Sequence, residues 1–192
     1  MTICVFGASS DSLQKEYYDA AFALGEALAR GGHALVYGGG RGGLMGACAR
    51  GVLSLGGEIT GVAPRFFDEG DVLLKEHGRF LFTDTMAERK TMMEDLADGF
   101  IVLPGGVGTL EEFFETLTLC LLGRHQKPMA LLNTCGYFDL LRKLLEDSIE
   151  KGFTSPACRE ILSFCTEPAE ALEALGRAPA VSGLSLADYT GK

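Results

Sequence analysis

What this chain lacks narrows its chemistry first. No apolar run approaches the roughly 18 residues that a membrane span requires, and the amino terminus, Met1-Thr2-Ile3-Cys4-Val5-Phe6, has none of the basic residues that open a signal peptide. The expected address is the cytoplasm, with no membrane partner. No CxxC pair occurs among the six cysteines, Cys4, Cys48, Cys120, Cys135, Cys158 and Cys165, so neither a zinc site nor a disulfide framework is expected. They read as small buried hydrophobes. There is no HExxH, no nucleophile elbow and no Walker A lysine after a glycine loop. His33 and His77 have no accompanying ligand set and are expected to be structural, so no metal and no cofactor are assigned. Positive charge is scarce as well. A formal net charge of -9 excludes the broad basic face that nucleic acid needs. An acidic protein that binds an anion must do so locally, through backbone N–H groups, a helix N-terminus and a few placed cations.

What is present is ample core material. With 192 residues, 47% of them hydrophobic, and a mean hydropathy of +0.17, the chain suits one domain. Strand-length apolar runs at Ile3–Phe6, Ala34–Tyr37, Ile59–Ala63, Phe80–Phe82, Phe100–Leu103 and Met129–Leu132 alternate with segments of helical period. Those segments are Tyr17–Ala29, Leu44–Leu55, Ala87–Leu96, Thr109–Leu122 and Phe138–Glu150. Leu162–Cys165 is a candidate edge strand and Pro168–Leu175 a last helix, with proline in its first turn. Continuous Val, Ile and Leu runs separated by helices predict a parallel sheet covered on both faces, an α/β, doubly wound Rossmann-like fold. That single domain is expected over residues 1–176, with a flexible tail from 177 to 192. Repeats and Pro-rich linkers are absent. Residues 64–78 form the one long irregular connection, able to cover a site.

Two glycine loops carry the candidate chemistry. In Gly38-Gly39-Gly40-Arg41-Gly42-Gly43, the residues Gly38, Gly40 and Gly43 match GxGxxG. The dinucleotide fingerprint fails, however, because Glu58 precedes the next strand instead of ending it. Close backbone packing and direct ligand contact both remain open for this loop. The second loop, Pro104-Gly105-Gly106-Val107-Gly108-Thr109, joins a buried strand to an amphipathic helix. Its glycines leave amides open at a helix N-terminus, where the dipole favours an anion such as phosphate, and Thr109 can cap the helix or offer its hydroxyl. Glu111 and Glu112 follow in the first turn, where the helix dipole should keep them ionised. Capping is one role for them. Glu112, three residues after Thr109, turns back towards the loop, whereas Glu111 is rotated about 100° away. Arg89 opens the preceding helix at the carboxyl edge of the sheet, either converging on the loop or standing as a solvated cation. Arg124, His125 and Lys127 complement the helix C-terminus and are assigned no chemistry.

Met86-Ala87-Glu88-Arg89-Lys90, followed by Pro104-Gly105-Gly106-Val107-Gly108-Thr109-Leu110-Glu111-Glu112, resembles the Lonely Guy (LOG) family of cytokinin riboside 5′-monophosphate phosphoribohydrolases. The resemblance runs from Ile3 to about Gly152. It includes Gly43-Leu44-Met45-Gly46, Gly123-Arg124-His125 and Leu131-Leu132-Asn133 through Gly136-Tyr137. It implies hydrolysis of the N-glycosidic bond of an N6-modified adenosine 5′-monophosphate, with Arg89 and Glu112 as the catalytic pair. Substrate binding is then expected from Ser9, Gly39, Gly40, Met86, Lys90, Gly105, Gly106, Val107, Gly108, Thr109, Leu110, Glu111 and Thr118. The resemblance also implies a homodimer with shared active sites. The label "lysine decarboxylase", often given to such sequences, finds no lysine in a recognisable Schiff-base setting. Ala87, Val107, Leu119 and Leu121 depart from the family pattern at positions usually held by His, Tyr, Trp and Gln, which leaves the base open. Plain AMP or another purine monophosphate is one alternative. A carrier that binds a nucleotide or a pterin phosphate without cleaving it is another.

Overall fold

The computed structural model describes residues 1–68, 70–75 and 78–177. Its centre is a seven-stranded, wholly parallel sheet in the order β4-β3-β2-β1-β5-β6-β7. The strands are β1 (Thr2–Phe6), β2 (Ala34–Tyr37), β3 (Ile59–Pro64), β4 (Arg79–Thr83), β5 (Gly99–Val102), β6 (Met129–Leu132) and β7 (Leu162–Cys165). The helices are α1 (Lys15–Arg30), α2 (Gly43–Ser54), α3 (Met86–Leu96), α4 (Val107–Leu121), α5 (Asp139–Glu150), α6 (Cys158–Ile161) and α7 (Pro168–Gly176). This is the doubly wound Rossmann-like architecture that the alternation predicts. The four-residue α6 escaped the sequence reading because so short a turn shows no period.

Alternation along the strands sorts the two cores. Ile3, Val5, Leu35, Tyr37 and Ile101 pack with Leu24 and Leu28 of α1, Leu44 and Val52 of α2, and Leu175 of α7. Cys4, Phe6, Val36, Phe100 and Val102 pack on the other face with Met93 of α3, Phe113 and Leu117 of α4, and Ile149 of α5. Both faces are buried, so the strand runs are apolar throughout. Cys135 corrects the reading of the cysteines. It is exposed, while the other five are buried, because it sits in the turn after β6 with φ 54°. His77 and residues 178–192 of the expected tail lie outside the described residues. No described helix is long and apolar enough to cross a membrane.

The chain begins at the middle of the sheet, winds outward to β4, then returns to place β5 beside β1. The loops leaving β1 and β5 therefore run to helices on opposite faces and open a crevice at their carboxyl ends, the usual ligand position in such sheets. Ala8 N donates to Pro104 O at 3.0 Å and Leu103 N to Phe6 O at 2.8 Å, which locks the two loops together.

Candidate active site

A cavity of about 530 Å³ occupies this crevice. Its polar wall is formed by Gly106, Val107, Gly108 and Thr109 with Arg89, Glu111 and Glu112. Its apolar wall comprises Met45, Phe67, Val72, Leu73 and Met86. Ser9 and Gly40 of the expected set also line it.

Arg89 and Glu112 meet at its floor. A capping box starts α3: the Thr85 hydroxyl accepts from Glu88 N at 3.1 Å and the Glu88 carboxylate accepts from Thr85 N at 3.2 Å. This fixes the first turn and aims Arg89, the next residue, under the sheet edge. Arg89 is buried, not a solvated cation. Its Nε donates to Val62 O at 3.1 Å, and its Nη1 donates to Glu112 Oε1 at 2.7 Å. The two side chains are only 7% and 10% exposed. Burial pushes the Glu112 carboxyl above its ordinary value, and the charge and hydrogen bond of Arg89 oppose this without cancelling it. Burial thus works against the ionised form at Glu112, while Arg89 supports it.

The first glycine loop serves Arg89. A Cβ on Gly38 would collide with the Arg89 guanidinium, so the glycine makes room for this buried cation. Gly43, at φ 60°, brings the start of α2 against Ala8 and Ser9, where its N–H donates to Asp11 Oδ1 at 2.8 Å. Gly39 abuts Phe80 and does not line the cavity. Strand β2 thus ends in a packing device, with Gly38 and Gly40 also reaching the cavity.

The second loop divides its labour. Gly105 is buried, and a Cβ there would strike the Thr109 side chain. At Gly106 and Gly108 a Cβ would meet nothing within 4 Å. Helix α4 begins at Val107 with Gly106 as its N-cap and no side-chain cap, so Thr109 is an internal helix residue and not the cap. Among the described residues, the N–H groups of Gly106, Val107, Gly108 and Thr109 have no internal acceptor. They are the unpaired donors of a helix start, with the dipole behind them.

Lys90 lies outside the cavity wall and bridges to Glu111 and Glu115 on α4. Burial lowers the Lys90 amine, but hydrogen bonds to both carboxylates outweigh it, and the net shift is upward. Leu110 packs on the α3/α4 core, and Thr118 lies more than two turns along α4 from Thr109; neither lines the cavity. Phe67, Val72 and Leu73 were not read from sequence. They arrive on the connection of residues 64–78, where Gly40 and Leu73 form an antiparallel bridge and Arg41 N donates to Val72 O at 2.8 Å. The Thr85-x-x-Glu88 signature was the one local signal able to fix the entry to Arg89. Around His125, assigned no chemistry, Nε2 lies 3.0 Å from Thr116 O and Nδ1 accepts from Lys127 N at 3.2 Å, which steadies α4.

Comparison with known proteins follows the same lines. The family model described as "possible lysine decarboxylase" matches residues 45–175. A probable cytokinin riboside 5′-monophosphate phosphoribohydrolase of Oryza sativa subsp. japonica is 40% identical over 173 residues, 90% of this chain and 69% of the relative. The cytokinin riboside 5′-monophosphate phosphoribohydrolase of Mycobacterium tuberculosis is 39% identical over 173 residues, 90% of this chain and 92% of the relative. Among solved structures, the molybdenum cofactor carrier protein of Chlamydomonas reinhardtii shares the fold with a TM-score of 0.70 at 21% identity, over 94% of this chain and 98% of that one.

Proposed function

Since the chain belongs to the LOG family of cytokinin riboside 5′-monophosphate phosphoribohydrolases, we propose that it hydrolyses the N-glycosidic bond of an N6-modified adenosine 5′-monophosphate. The products are the free base and ribose 5-phosphate. The observation that carries this reading is the buried Arg89–Glu112 pair on the same cavity as the open amides of Gly106 to Thr109.

In this reading the 5′-phosphate takes the four unpaired N–H groups and the Thr109 hydroxyl. The ribose then lies over Arg89 and Glu112. Cleavage of C1′–N9 builds positive charge at C1′, and a fixed carboxylate in a desolvated site lowers that barrier electrostatically. Water adds its oxygen to C1′, one of its protons passes to the departing base, and Glu112 orients it. Arg89 holds Glu112 in place and keeps it ionised. The apolar wall of Met45, Phe67, Val72, Leu73 and Met86 supports a base bearing an apolar substituent. Lys90 supports a hydrolase over a decarboxylase: a raised, doubly paired ammonium is a poor Schiff-base nucleophile.

The same reading includes a cytoplasmic homodimer and one nucleotide-binding domain over residues 1–176. Val107, 86% exposed at the mouth of the cavity, and Phe114 on α4 support a partner surface beside the site. The test is a panel of purine nucleosides, their 5′-monophosphates and N6-alkylated forms, assayed for free base. Release from 5′-monophosphates alone, fastest with an apolar N6 group, is expected. Tight binding with no base released from any of them would overturn the reading in favour of a carrier.

A further inference from the structure

One motif remains unused by this reading: the turn after β6 that ends in Gly136-Tyr137. Its backbone is costly. Cys135 and Gly136 stand in succession at φ 54° and 72°, a left-handed region that is strained for the non-glycine Cys135. The turn is held by Asn133, whose Oδ1 accepts from Phe138 N at 2.6 Å while its Nδ2 donates to Asp139 Oδ1 at 2.8 Å. Gly136 N and Tyr137 N donate back to Asn133 O and Thr134 O, each at 3.1 Å. All of this delivers one group: the Tyr137 hydroxyl donates to Gly105 O at 2.6 Å. The ring is steadied edge-on by Tyr17 and Phe138, with centroids at 6.2 and 5.0 Å.

The recipient carbonyl belongs to the peptide unit whose N–H is that of Gly106. A trans peptide is planar, with its C=O and N–H pointing in opposite directions, and the chain has no cis bond among the described residues. Tyr137 reaches Gly105 O from a second, smaller cavity of about 320 Å³ lined by Leu13, Tyr17, Gly105 and Tyr137. Gly106 lines both cavities and Gly105 only this one. Pinning the carbonyl on the tyrosine side therefore turns the Gly106 N–H towards the substrate cavity. Consecutive glycines are the most permissive backbone in a protein, so an unpinned Gly105–Gly106 peptide would spread its N–H over many directions.

We infer that Tyr137 is a positioning residue, and that its hydroxyl aims the Gly106 N–H at the substrate's phosphate. This rests on the phosphate-binding role proposed above. A net hydrogen bond is worth about 1 kcal/mol, and a factor of ten corresponds to 1.4 kcal/mol, so the effect should be about fivefold or somewhat more. The test is Tyr137→Phe, which keeps the ring and its contacts. Expected are a KM for the nucleoside monophosphate and an inhibition constant for ribose 5-phosphate that rise together by about five- to tenfold. The kcat should stay within about twofold, the inhibition constant of free base should not move, and the melting temperature should fall by no more than roughly 2–4 °C. An unaltered ribose 5-phosphate constant, or constants for phosphate-bearing and phosphate-free ligands that shift alike, would overturn the inference. Wild-type protein that releases no base would instead refute the hydrolase reading, and ribose 5-phosphate affinity measured by calorimetry on both proteins would still judge Tyr137.

Discussion

Replacing Glu112 with Gln separates what the buried pair does for stability from what it does for catalysis. The amide introduced by Glu112→Gln keeps an oxygen to accept from Arg89 Nη1 but leaves the guanidinium, 7% exposed, without its counter-charge. Removing one partner of a buried pair costs about 3–5 kcal/mol; the retained hydrogen bond places this change at the lower end, about 3 kcal/mol. At roughly 2–4 °C per kcal/mol for a chain of this size, the melting temperature should fall by roughly 6–12 °C. Turnover should fall further than stability explains, because the carboxylate acts on charge that exists only in the transition state. Loss of one such electrostatic contact costs about 10²–10³ in kcat. Nucleotide affinity, set by the loop amides, should stay within about threefold. A second variant, Arg89→Met with Glu112→Leu, removes both charges and should recover most of the lost stability while remaining inactive. The assay pairs thermal melts with free-base release under saturating substrate, at a temperature where all variants are folded. An E112Q protein with kcat within about tenfold of wild type would refute the catalytic role. A double variant that is both stable and active would show the pair to be a dispensable packing feature.

Gly106→Ala should leave the melting temperature essentially unchanged, since its Cβ meets nothing within 4 Å, yet raise KM roughly tenfold or more by filling phosphate space. Gly105→Ala should destabilise by about 1–3 kcal/mol by striking Thr109; melts and kinetics on the pair check the contrast. Gly38→Ala should drive the Arg89 guanidinium from its seat, and a displacement near 1 Å costs about 10²-fold in turnover, so unchanged kcat refutes the link. The acid limb of the kcat/KM profile should lie above 4.5, the ordinary glutamate value, because burial raises Glu112 and its ionised form is the active one. His125 is lowered from 6.5, first by burial and then by the Lys127 charge, against the bond to Thr116. Its contribution to stability is complete above 6.5 and lost as pH falls from there through its lowered folded value. Urea titrations should show wild type losing more stability over that window than His125→Gln, and equal losses would refute the assignment.

Apolar patterning alone specifies the sheet, since strands buried on both faces must be apolar throughout, and the six early runs fall on β1 to β6. Local composition likewise singles out the second glycine loop as the candidate anion site, because three glycines before a helix leave few other uses. Tertiary structure decided the rest. Glu112 and Arg89 stand 23 residues apart in the chain, and nothing local says that the second lies buried against the first. Gly38 stays open between packing and ligand contact until its clash with Arg89 is seen, and Tyr137 carries no local signal until its hydroxyl meets Gly105. Phe67, Val72 and Leu73 carry no periodicity and become a cavity wall only when Val72 and Leu73 pair with Gly40 and Arg41. The physical reason is common to all of these: periodicity and composition report which face of an element is buried, while a site is made where separate loops converge at the end of a sheet.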